Sequence, residues 1–281
     1  MFKHLMSAVA LSFCVVLPAT ALEFNGVTYA GYREGQSPYT GVFPDAAQVR
    51  EDMQLVRSVA PRLRTYSARD GVDVVAIAAK EGLEIYAGAW IGRDALAARQ
   101  ELDAALVQAQ NEAVSHVVVG NEALLRGDVS VGRMAMLLEE TRGRTSKPVS
   151  TAEPWGVWMH NPRLAQHVDF IAAHVLPYWE HVPVEKAIDY AFERIALLKA
   201  TFPDKRIVIT ETGWPSDGDP FGVAIPSVAA HKAYLAEFAR RAKEEGVEYF
   251  IIEAFDQPWK TILEGRVGAH WGVFNANRQR K

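Results

Sequence analysis

Ile207-Val-Ile-Thr-Glu-Thr-Gly-Trp-Pro-Ser216 is the stretch whose reading decides the fold. Its first three residues are β-branched and apolar without alternation, which marks a strand buried on both faces, as in parallel sheets flanked by helices. The run stops at a carboxylate, Glu211, and breaks at a Gly-Trp-Pro turn. Seven similar runs lie elsewhere: Phe24–Ala30, Arg62–Tyr66, Leu83–Ala89, Ser115–Asn121, Pro148–Glu153, Val168–His174 and Val247–Ala254. Segments of helical period separate them. Val49, Met53 and Val56 share a face over 46–59; Val184, Ala187, Ile188, Ala191, Phe192, Ile195 and Leu198 do so over 183–201, and Val228, Tyr234, Leu235 and Phe238 over 227–245. Eight strands alternating with helices over about 250 residues predict a single (β/α)8 TIM barrel. A doubly wound open sheet usually needs fewer strands, and no G-x-G-x-x-G turn follows the first run.

The beginning of the 281-residue chain reads differently. Lys3 and His4 precede an apolar run from Leu5 to Leu17 and then Pro18-Ala-Thr-Ala21, the pattern of a secretory signal cleaved after Ala21. Residues 1–21 are therefore expected to be removed and 22–281 to form the exported domain, periplasmic or secreted, with no membrane span. The single cysteine, Cys14, lies in that signal, so the mature domain is expected to rest on its hydrophobic core without disulfides. Lys3 is the only formal charge within 1–21, so its loss takes the net charge from −4 to −5. Mild acidity gives no footing for nucleic acid or an anionic membrane surface and suits a neutral ligand.

In such a barrel the chemistry sits at the carboxyl ends of the strands. Here those ends carry Tyr29 and Tyr32, then Arg64 and Tyr66, Trp90, Glu122, Glu153 with Trp155 and Trp158, His174 with Tyr178 and Trp179, Glu211 with Trp214, and Glu253 with Trp259 and Lys260. Six of the seven tryptophans follow strand ends directly, and the clustering predicts stacking platforms along a sugar-binding groove. Glycoside cleavage needs two carboxyl groups flanking the bond. Glu122 and Glu211 each terminate a strongly apolar strand, on opposing sides of the mouth. In a retaining enzyme they stand roughly 5 to 5.5 Å apart. At that range the ionised nucleophile is expected to keep its partner protonated. Tyr66 and Tyr178 are placed to bind sugar or orient Glu211. Glu153 fits cleft hydrogen bonding and structural pairing equally, Arg64 fits an ion pair near the mouth, and His116 reads as core. The spacing of His160, His167 and His174 is interrupted by Pro162 and a strand, so no metal site is expected, and no cofactor motif is present.

Gly120-Asn-Glu122 and Glu211-Thr-Gly-Trp-Pro-Ser216 resemble the acid/base and nucleophile motifs of glycoside hydrolase family 17, the β-1,3-glucanases and related glucan transferases. The likeness runs from about Gly26 to Phe274. Tyr32-Arg-Glu-Gly-Gln-Ser-Pro38, Thr151-Ala-Glu-Pro-Trp155, Pro177-Tyr-Trp-Glu180 and Ala254-Phe-Asp-Gln-Pro-Trp-Lys260 are similar to the bacterial branch. The resemblance implies a TIM barrel, a retaining mechanism, Glu122 as general acid/base, Glu211 as nucleophile and Asn121 as a hydrogen-bond partner of the sugar 2-hydroxyl. Tyr32, Tyr66, Trp90, Glu153, Trp155, Tyr178, Trp214, Trp259 and Lys260 are the residues expected around the substrate. One departure stands out. Plant members carry a glutamate where this chain has Gln257, and Glu153, Glu253, Asp256 and Glu264 are the candidates to stand in for it. The function expected is a retaining, internally cutting hydrolase of β-1,3-glucan without cofactor. The alternative is a transglycosylase that passes the same covalent intermediate to another glucan. A non-catalytic glucan-binding protein is disfavoured by retention of both glutamates.

Overall fold

The computed structural model describes residues 24–281; the expected signal segment falls outside them. Eight parallel strands close into a barrel in sequence order: β1 (Val27–Tyr29), β2 (Arg62–Thr65), β3 (Glu84–Ala89), β4 (Val114–Asn121), β5 (Val149–Pro154), β6 (Phe170–His174), β7 (Arg206–Thr212) and β8 (Glu248–Ile251). Each overlaps one of the eight apolar runs, and β1 pairs with β8 at Val27 and Ile251 to complete the ring. Closure leaves no sheet edge to pair with another chain. Among the described residues no helix is long and apolar enough to cross a membrane.

The helices α1 (Ala46–Arg57), α2 (Val74–Lys80), α3 (Ala95–Gln108), α4 (Val131–Arg144), α5 (Trp155–His160), α6 (Val184–Thr201), α7 (Val228–Glu244) and α8 (Thr261–Glu264) follow their strands. Capping fixes where several begin. Asp45 accepts from the Ala47 and Gln48 amides while the Gln48 side chain accepts from the Asp45 amide, a reciprocal cap that starts α1. Asp94 starts α3 and Ser227 starts α7 in the same general way, each through its own side-chain oxygen. The apolar stripes face inward: Val49, Met53 and Val56 on α1, Ala187, Ala191, Phe192, Ile195 and Leu198 on α6, and Tyr234, Leu235 and Phe238 on α7 are buried, while Val184 and Ile188 on α6 are half-buried. Val228 departs from the expected stripe; it sits on the first turn of α7 and is exposed.

Two apolar layers result. One lies between strands and helices and includes Ile207 and Ile209 of β7 with Val117 and Val119 of β4. The other fills the barrel with Tyr86, Val118, Ala152, Phe170, Ala172, Val208 and Phe250. Alternate residues of a strand thus serve opposite layers. Near the mouth that alternation breaks. The β7–β8 register shifts between Ile209 and Thr212, and the β4–β5 register shifts between Val118 and Asn121. Strict alternation would send Glu211 outward with Ile207 and Ile209. With the shift, Thr212 faces out to the Tyr234 hydroxyl of α7, and Glu211 turns into the mouth.

Candidate active site

Arg64, buried within β2, organises the mouth. One guanidinium nitrogen, Nη1, donates to Glu211 Oε1 at 2.8 Å and to the Thr210 carbonyl at 3.2 Å, while Nη2 donates to Asn121 Oδ1. Its plane lies over Tyr66, 4.9 Å from the ring centre. Arg64 is 1% and Glu211 4% exposed, so their charges face each other out of water. Asn121 has its amide nitrogen left to donate.

Glu122 sits on a tight turn just past β4. Gly120 takes φ +83° and Glu122 φ +53°, the latter a left-handed conformation costly for a residue with a Cβ. The turn is held from three directions. The Glu122 amide donates to the Ala152 carbonyl at 2.7 Å, and Arg126 donates to the Asn121 carbonyl and, at 3.1 Å, to that of Ile91. Glu153, wholly buried on β5, accepts from the amides of Leu124 at 2.8 Å and Leu125 at 3.3 Å. Glu153 therefore belongs to the frame beneath Glu122.

His174 at the end of β6 joins the two acids. Its Nδ1 lies 2.9 Å from Glu122 Oε1 and its Nε2 3.5 Å from Glu211 Oε1. One oxygen of each glutamate and a ring nitrogen all lie within 4.8 Å of one another. That spacing lies just below the roughly 5 to 5.5 Å of a retaining pair and is too short for the water an inverting enzyme must seat between its carboxyls. The same three side chains have the chemistry of cation ligands, but the Arg64 guanidinium already stands against Glu211.

The charge balance on Glu122 differs from the sequence expectation. Burial works to raise its pKa, yet the His174 hydrogen bond, followed by the charges of His174, Arg126 and Arg64, outweighs burial and leaves the carboxyl below its ordinary value. In the free site Glu122 is ionised, not held protonated by its partner. Glu153 goes the other way: burial lifts it to about 7 against the opposing pull of the Leu124 and Leu125 amides. The sign of the consequence follows from proton linkage. Between its ordinary value of 4.5 and about 7, the folded chain holds this proton more tightly than the unfolded one, so stability falls as pH rises through that window. Glu153→Gln is expected to remove a slope amounting to about 3 kcal/mol across it. Urea unfolding of both proteins at pH 5 and pH 7.5 measures this, and parallel slopes would refute it.

A cleft of about 1060 Å³ opens at Glu122, Glu211 and His174 and runs over the loops following β4, β5 and β6. Leu125, Val131, Trp155, Trp179 and Leu263 give it apolar walls, with Asn161, Glu180 and Glu264 as polar points. Trp155 is braced by its indole N–H, which donates to Glu180 Oε1 at 2.6 Å, and by Arg194 across its ring. Trp90 is 40% exposed beneath the Arg126 guanidinium. Trp259 is half-buried, its edge contacts made with Tyr32 and Tyr39.

Several expected sugar contacts are corrected. Trp214 is fully buried, packs on Tyr178 and Tyr234 and donates to the Ile225 carbonyl, because the turn after β7 folds it under the loop. Trp158 is core as well, whereas Trp271, also buried, borders the cleft. Tyr178 is buried among Trp179, Trp214, Trp271 and Phe221, and its hydroxyl donates to the Asp219 carbonyl. Tyr32 is buried against Phe43 and Trp259. Lys260 is buried with both Glu253 oxygens 2.8 Å from its ammonium, and Gln257 donates to the same carboxylate. Glu253 is thus the acid that accompanies Gln257 and Lys260, while Glu264 lines the cleft. Sequence reasoning missed the bridging place of His174; its position at a strand end was the available signal.

The BtgE/BtgC glycoside hydrolase domain, as a family model, matches residues 26–272. The chain is similar to the glucan 1,3-beta-glucosidase of Saccharomyces cerevisiae, with 25% identity over 92% of this chain and 91% of the yeast protein. It is 27% identical to a probable glucan endo-1,3-beta-glucosidase, btgC, of Aspergillus clavatus, over 85% of this chain and 39% of that longer protein. Among solved structures, the glycoside hydrolase family 17 beta-1,3-glucanosyltransferase of Rhizomucor miehei shares the fold with a TM-score of 0.81 and 26% identity, covering 92% of this chain and 95% of that one. An active-site mutant of that enzyme is known in complex with laminaritriose.

Proposed function

The chain belongs to the BtgE/BtgC glycoside hydrolase domain family, a glycoside hydrolase family 17 barrel, and from that premise we propose a retaining enzyme of β-1,3-glucan that works through a covalent glycosyl-enzyme. The observation that carries the reading is the pair Glu122 and Glu211, held with His174 inside a 4.8 Å compass at the floor of an apolar-walled cleft.

The steps follow from the geometry. Glu122 first takes up a proton from solvent; Glu211, its carboxylate fixed by Arg64, then attacks the anomeric carbon as Glu122 passes that proton to the departing glycosidic oxygen. The sugar is then an ester of Glu211, and Glu122 is a carboxylate. Glu122 takes the proton of an incoming hydroxyl, whose oxygen attacks the anomeric carbon and releases Glu211. Water as the incoming group gives hydrolysis; a glucan hydroxyl gives transfer. Asn121, oriented by Arg64, presents its amide N–H towards the sugar 2-hydroxyl. Trp90, Trp155, Trp259 and Tyr66 remain as candidate sugar contacts. Export belongs to the same proposal, supported by the signal-like residues 1–21.

A second reading, transfer in preference to hydrolysis, is favoured by the arm beyond Glu122. Leu125, Val131, Trp155 and Trp179 offer an incoming sugar chain an apolar bed where water has few partners. Mass spectrometry after incubation with a β-1,3-gluco-oligosaccharide of defined length tests both. Products longer than the substrate are expected beside shorter ones. Shorter products alone would reduce the enzyme to a hydrolase, and unchanged substrate would overturn the β-1,3-glucan reading.

A further inference from the structure

Neither half of this reaction requires an imidazole: acid, base and nucleophile are all carboxyl groups. Yet His174, 1% exposed, spans both of them. An ionised Glu122 only accepts hydrogen bonds, so the 2.9 Å contact requires the hydrogen on Nδ1. Nε2 then faces Glu211 Oε1 and Arg64 Nη1, each 3.5 Å away. The imidazole is clamped between the acid/base on β4, the nucleophile on β7 and the guanidinium from β2.

We propose that His174 is a positioning residue for this reaction, holding Glu122 through Nδ1–H and meeting through Nε2 the Arg64 Nη1 that donates to Glu211, so that both glutamates belong to one frame and Glu122 is tuned to its base role. The proposal rests on the assignment of the two glutamates made above. The Nδ1–H stabilises Glu122 as carboxylate, the form that takes a proton from the incoming hydroxyl in the second step. The frame also fixes a side chain whose backbone is strained and whose carboxyl borders the open cleft. Other charges face the same space. Arg64 from β2 and Arg126 from the turn after β4 also favour the ionised form of Glu122, whereas Glu211 from β7 faces the same space, and Glu153 from β5 and Glu264 from α8 are acids that burial pushes towards their neutral forms. Of these groups, His174 alone donates a hydrogen bond to Glu122 and also reaches Glu211.

The pH dependence of kcat/KM on a β-1,3-gluco-oligosaccharide tests this, because its alkaline limb reports the proton on the general acid of the free enzyme. His174→Ala is expected to lower kcat/KM about 10²-fold by loosening the pair, and to move the alkaline limb to higher pH as Glu122 loses its donor. His174→Asn, whose amide can take the place of Nδ1–H, is expected to return the limb to its wild-type position and recover most of the rate. If His174→Ala does not fold, His174→Leu fills the ring's space without a donor and carries the same expectation. A folded donor-less variant with an unmoved limb overturns the proposal, as does an Asn variant displaced as far as Ala. Glu211→Gln, run alongside, separates the two levels: if it retains turnover, the site assignment itself has failed, whatever His174 does.

Discussion

Glu211→Gln abolishes turnover while leaving glucan binding in place: kcat falls by about four to six orders of magnitude, the scale seen when a covalent nucleophile is removed. The amide nearly matches the carboxylate in shape and still accepts from Arg64 Nη1, so the floor of the cleft keeps its form. What disappears is the negative oxygen that bonds to the anomeric carbon. Single-turnover kinetics give the rate, and calorimetric titration of the variant with a β-1,3-gluco-oligosaccharide gives the binding. Glu211→Ala makes the complementary case: azide, small enough for the vacated space, attacks the side of the sugar from which Glu211 approached. It restores turnover and yields a glycosyl azide of inverted configuration. Turnover by Glu211→Gln close to that of the wild type would remove Glu211 from the mechanism.

Arg64→Met produces the largest combined loss of stability and activity expected of any single change outside the carboxylates. The wild-type pair is buried, with Glu211 Oε1 held at 2.8 Å. Removing the guanidinium strands a carboxylate out of water, a situation that costs about 3 to 5 kcal/mol. For a chain of this size the melting temperature is expected to fall by about 10 °C. The same change frees Asn121 and lets Glu211 shift, so kcat/KM drops by about 10² or more. Arg64→Lys keeps the charge but not the fork that reaches Glu211, Thr210 and Asn121 together, and falls between the two. Calorimetric melting and steady-state kinetics read both effects. An Arg64→Met protein that melts with the wild type would show that the ion pair contributes nothing net to the fold.

Periodicity carried most of the architecture. Unbroken β-branched runs such as Ile207 to Ile209 and the stripe from Ala187 to Leu198 each satisfy only one kind of element, so eight strands and the principal helices were legible before any coordinate. The mouth was legible by residue type but not by direction. Glu211 follows two residues after Ile209 and by strict alternation shares its outward face; the register shift that accompanies its inward turn lies in the pairing of β7 with both β6 and β8, which no local pattern encodes. The tryptophans mislead for a related reason. All follow strand ends, or nearly so, but whether an indole lines the cleft or closes the core beneath it depends on loop paths. Trp155 stays at the surface of the cleft, whereas Trp214 is folded under residues 221–225 and hydrogen-bonded there. His174 escaped because a lone histidine acquires meaning only from what stands across the barrel.

The left-handed backbone at Glu122 sets folding and chemistry against each other at one position. A side chain there costs about 1 to 2 kcal/mol that glycine would not incur. Selection for persistence alone would therefore draw position 122 towards glycine, and only selection for turnover holds a glutamate in place. A descendant of this barrel that kept its shape but lost its glucan would be expected to relax here first, growing sturdier as it fell silent.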